Sequence, residues 1–138
     1  MEFESPAQAI AAVATLIIHA DQIGTLAERD YLFTHVKEHP LFATYDETTF
    51  SDLLATTAKQ IYQNFPTANE ALTPAAINQL IAAINDALPP DLTPTALTIA
   101  VNLAQADGLV PAEQTILTQL ALGLHLDPQT THTILNPS

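Results

Sequence analysis

The chain has no cysteine, only three glycines, and only three cations, Arg29, Lys37 and Lys59, among its 138 residues. Without cysteine there are no disulfides and no thiolate metal ligands, a composition that fits a cytoplasmic protein. Three cations against fifteen acidic residues give a formal net charge of −12. That is poor material for holding phosphates, so nucleic acid is excluded as an expected partner. Anionic membrane surfaces should repel the chain too, whereas cations and basic proteins are what its field attracts. Scarce glycine argues against flexible linkers. No apolar run approaches the ~20 residues needed to span a bilayer. The acidic start Met1-Glu2-Phe3-Glu4-Ser5 is unlike a secretory signal. A Ser-His-Asp triad, a glycine-rich phosphate loop and an aromatic-basic patch are all missing, and the expectation is a protein that is not an enzyme.

What is present is apolar residue, 48% of the chain, and ten prolines that punctuate it. The apolar share is enough for a real core, and the length fits one domain over 1–138. Ser5-Pro6-Ala7-Gln8 reads as a helix start, with Ser5 as N-cap and Gln8 reaching back. Ile10, Val13, Ile17 and Ala20 follow at helical spacing, to about Asp21. Thr25-Leu26-Ala27-Glu28 is a second capping box, opening a helix with Leu32, Phe33 and Val36 that Pro40 ends. Asp46 and Glu47 cap a third, carrying Phe50, Leu53, Leu54, Ala58 and Ile61 and stopped by Pro66. Thr73-Pro74 starts a fourth, with the stripe Ile77, Leu80, Ile81, Ile84 and Leu88.

Pro89-Pro90 is a hard break and a candidate boundary between halves. Thr93-Pro94 starts a fifth helix and Pro111 a sixth, the latter carrying Ile116, Leu117, Leu120 and Leu124. Asp127-Pro128 opens a short last helix that Asn136-Pro137 closes. No stretch alternates convincingly as a strand would. The expected fold is all-α, a bundle of about seven helices with short connections. Ile81, Ile84, Val101, Leu117 and Leu120 should share its core.

The chain is organised around Leu103-Ala104-Gln105-Ala106-Asp107-Gly108-Leu109-Val110-Pro111-Ala112-Glu113. Gly108 can take the left-handed conformation that closes a helix, and Pro111 suits the first turn of the next. Asp107 faces the unfavourable end of a helix dipole, so a local hydrogen bond or a bound cation must offset it. Glu113 falls in a first turn, where negative charge is favoured. A looser copy, Ala20-Asp21-Gln22-Ile23-Gly24-Thr25-Leu26-Ala27-Glu28, points to a duplicated helical hairpin. The halves span about 5–66 and 73–137.

On Ala106, Asp107, Gly108, Glu113, Leu117, Leu120 and Leu122-Gly123-Leu124, with Ala20, Asp21 and Glu28 in the first half, the chain resembles the TerB family of tellurite-resistance-associated proteins. The resemblance implies a compact all-helical domain with an internal repeat and clustered acidic residues. It also implies divalent-cation binding and a part in stress-response assemblies near the inner membrane, by peripheral association and through a protein partner. Asp21, Glu28, Asp107 and Glu113 are then the expected metal ligands. Oxygen-only ligands favour calcium over zinc, and calcium is also expected ahead of magnesium. In the first copy Gln22 replaces the glycine and Ile23 lengthens the corner.

The same four carboxylates can serve as helix caps alone, which would make the chain a metal-independent structural adaptor for a basic partner. His35-Val36-Lys37-Glu38-His39 spells the H-x-x-E-H pattern of inverted zinc peptidases. Pro40 follows at once and puts His39 on a fraying end, so solvated helix-end histidines are the expectation there. His19, His125 and His132 are expected at the surface.

Overall fold

The chain is built around its first helix, α1 (Pro6–Ile18), in a computed structural model. The residues described are 3, 5–18, 34, 42–65, 67–68, 71–105, 111–126, 129 and 132, with 18, 67–68, 71–72 and 111–114 described by backbone alone. Four further helices follow: α2 (Glu47–Asn64), α3 (Pro74–Ala87), α4 (Thr93–Gln105) and α5 (Pro111–Gly123). Between α2 and α3 lies a minimal antiparallel ribbon, β1 (Thr67–Ala68) with β2 (Ala71–Leu72), in the register Thr67 to Leu72 and Ala68 to Ala71. Two residues per strand are too few to produce a visible alternation, which is why the sequence pattern missed them. Apart from this ribbon, the regular structure among the described residues is all-helical.

α1 packs against α2, α3, α4 and α5 alike, and every residue from Ala7 to Ile17 is buried. The stripe of Ile10, Val13 and Ile17 therefore understates it. Ala9, Ala11, Ala12 and Ala14 on the other faces are no more than 1% exposed. A helix apolar all round belongs inside a protein, and its alanines let neighbouring backbones come close. Its two polar interior residues are satisfied. Thr15 Oγ1 donates to Ala11 O at 2.9 Å, and Gln8 Nε2 donates to Gln60 Oε1 of α2 at 2.8 Å. Ser5 caps the helix as its sequence position implied, accepting from Gln8 N at 3.2 Å.

The helix starts follow local chemistry. Asp46, in extended conformation, accepts from Thr49 N through Oδ1 at 2.7 Å, satisfying one of the free donors of α2. Thr73 does the same for α3, taking Ala76 N at 3.1 Å, with Pro74 at the first helical position. The start of α4 departs from the expected pattern. Thr93 is already inside the helix, and its hydroxyl donates back to Pro90 O at 3.0 Å. Leu92 supplies the carbonyl that begins the ladder, bonded by Ala96 N. The Pro89-Pro90 break shapes this: Leu92 N closes a turn on Pro89 O, so the chain enters the helix one residue before Thr93 could cap it.

That break separates two helices and not two cores. Ile81 and Ile84 of α3, Val101 of α4, and Leu117 and Leu120 of α5 join Ile10, Val13 and Ile17 of α1 and Phe50 and Ile61 of α2 in one buried cluster. At its α2 end, Phe42 meets Phe50 edge-on with ring centroids 5.0 Å apart, and Tyr45 edge-on at 5.4 Å. The expected helices over 25–39 and 127–137, and with them the comparison of the two halves, fall largely outside the described residues.

Candidate functional site

The helix ends around the acidic corner are firmly held. α4 ends at Gln105 and α5 begins at Pro111, so 106–110 form the connection between two helices that pack on one another. Leu103 and Ala104 are buried just before it, and Ile116 and Leu117 just after. Pro111 opens α5, as its missing N–H allows, and puts Glu113 in the first turn. The last carbonyls of any helix lack intrahelical partners. Glu113 is described by backbone alone. Asp21, Glu28 and Asp107 lie outside the described residues, as do His19, His35 and His39.

The carboxylates whose side chains are described, Asp46, Glu47, Asp52, Asp86 and Asp91, are all exposed, and so is Lys59. His125 and His132 are exposed as expected. Among the described residues no cluster of three or more histidine, aspartate or glutamate side chains could hold a metal ion. Burial raises the phenol of the half-buried Tyr62 above its ordinary value. Its neutral form therefore supports the fold below about pH 10, and that support is lost as pH rises through the folded-state value.

One feature of the described surface was missed in the sequence. A groove of about 430 Å³ runs between α3 and α5, with Ile81, Gly123 and Leu122 among its lining and Asn78, Asn85, Asp86, Gln119 and His125 beside them. Its closeness depends on Gly123, where an added Cβ would run into Ile81 Cγ2. Leu122, 74% exposed, is the large apolar side chain left to solvent among the described residues. The signal was available: Ile116, Leu117, Leu120 and Leu124 keep helical phase, and Leu122 falls out of it. α5 then closes with His125 in the left-handed region at φ 57°, where His125 N donates to Leu122 O at 3.2 Å. A search of family models, of curated proteins and of solved structures found no match to this chain.

Proposed function

We propose that this chain is a TerB-like acidic helical domain, not an enzyme, that binds a divalent cation and acts through a protein partner in a cytoplasmic stress response of the tellurite-resistance type. Asp107 and Glu113 are the primary ligands, with Asp21 and Glu28 as the matching pair in a duplicated hairpin of a seven-helix bundle. An all-oxygen ligand set prefers calcium or magnesium over zinc, and calcium is the expected ion of the two. The observation that carries the reading is the join of α4 and α5. A helix end at Gln105 and a helix start at Pro111 bracket Asp107 and set Glu113 one corner away. The net charge of −12 supports both a cation and a basic partner.

A second reading has its own support. Asp46 shows that this chain uses an aspartate carboxylate purely as a helix cap. If the corner carboxylates do the same, the protein is a metal-independent adaptor for a basic partner. Calorimetric titration of the chelated protein with calcium, magnesium and zinc separates the two. The cation site predicts saturable calcium binding that Glu113→Gln weakens and His35→Ala leaves alone. An absence of calcium heat leaves the adaptor.

A further inference from the structure

We propose that the groove between α3 and α5 is a docking site for a basic amphipathic helix of a partner protein, with one apolar side chain seated against Leu122. The inference rests on the reading of this chain as an interaction domain and names the chemistry of its partner. Three observations converge on the groove. Leu122 holds its side chain in water at 74% exposure, although helix α5 buries Ile116, Leu117, Leu120 and Ala121. Gly123, whose bare backbone lies against the buried Ile81, lets α5 sit close to α3 beside Leu122, leaving a recess of about 430 Å³. That is room for a side-chain anchor, since whole ligand pockets occupy roughly 300–1,000 Å³. Around it stand Asn78 and Gln119, whose side chains bond one another as Gln119 Nε2 donates to Asn78 Oδ1 at 3.5 Å, with Asn85, His125 and the exposed carboxylate of Asp86.

Charge selects the occupant. A second copy of this chain carries the same net charge of −12, which opposes its approach. A cationic helix is attracted by the field and meets Asp86 at the groove, while its apolar stripe covers Leu122. Helix-in-groove recognition of this kind reads anchors spaced by one turn.

The test is an NMR titration of the full isotope-labelled chain, in chelator and about 0.15 M salt to screen long-range attraction, with a synthetic amphipathic helix of leucine and lysine. Amide shifts should centre on Asn85, Asp86, Gln119 and Leu122. Leu122→Ser and Asp86→Asn should each weaken binding by at least about fivefold, the loss of roughly 1 kcal/mol that marks a contributing contact. A companion peptide with serine in place of leucine should bind at least as much more weakly. Both variants alter exposed side chains, and their circular dichroism is checked first. Equal shifts at Asp46, Asp52 and Asp91, with affinity unchanged in both variants, would show indiscriminate attraction to an acidic surface and overturn the proposal. Self-association of the free chain that Leu122→Ser abolishes would give the groove to a second copy and overturn it as well. Because chelator is present throughout, failure here leaves the cation site standing, and failure of calcium binding leaves this result intact.

Discussion

Thr57 is fully buried on α2, and its hydroxyl has no hydrogen-bond partner among the described residues. Thr15 and Thr98 show the usual remedy, each donating to the carbonyl four residues back at 2.9 Å. An unpaired buried hydroxyl costs about 1–3 kcal/mol by mutational measures. Thr57→Val, which keeps the shape and removes the polar atom, should therefore raise stability by about 1 kcal/mol in urea unfolding. A loss of similar size would mean that the hydroxyl is satisfied in solution, as by an ordered water. The end of α5 offers a sharper pair. Gly123→Ala ought to stabilise a helix by roughly 1 kcal/mol on propensity alone. Instead it should cost about 1–3 kcal/mol, because the new methyl meets the buried Ile81. His125→Gly should go the other way and gain up to about 1 kcal/mol, since the left-handed backbone at 125 suits glycine. Thermal or urea unfolding of the two variants checks both signs. If Gly123→Ala is neutral, α3 and α5 are not held as close as the groove requires.

At the scale of elements, the helix starts were the most legible part of the chain. Ser5, Asp46 and Thr73 cap by hydrogen bonds their side chains dictate, and Pro6 and Pro74 beside Ser5 and Thr73 point to the same positions. Buried faces were legible where large residues set the phase, as in Leu80, Ile81 and Ile84 of α3. They were not legible in α1. Alanine is as compatible with a surface as with a core, so Ala9, Ala11 and Ala12 gave no hint that the helix is enclosed on all sides. That role belongs to the packing of four other helices, which no local pattern encodes. The connection between α4 and α5 was legible from Pro111, which opens α5. The groove was not, because it arises where two distant helices meet over one glycine. Three substitutions weigh these points together. Ala12→Leu should cost about 1–3 kcal/mol by overpacking an axial helix. Ile84→Ala or Leu117→Ala should each cost roughly 2–5 kcal/mol through lost burial and a residual cavity. Losses below about 0.5 kcal/mol in chemical denaturation, the range of ordinary surface changes, would misplace the core.

Over the whole molecule, a core drawn from all five described helices belongs to a chain of net charge −12 whose described carboxylates are all exposed. Self-repulsion among those charges opposes compaction, and any cation relieves some of it. A specific site must therefore stand out from general screening, which requires comparison at equal ionic strength. The most direct measurement is thermal unfolding of the wild type and Asp107→Asn, each in chelator and in calcium with ionic strength matched. A ligand at about ten times its dissociation constant adds roughly 1.4 kcal/mol to the state that binds it. If Asp107 and Glu113 hold calcium, the wild type gains stability of that order and Asp107→Asn gains much less. In chelator the variant should equal or exceed the wild type, because a charge opposed to the helix dipole has been removed. A variant that is less stable in chelator, beside a wild type that calcium does not stabilise, would make Asp107 a structural cap and contradict the cation site.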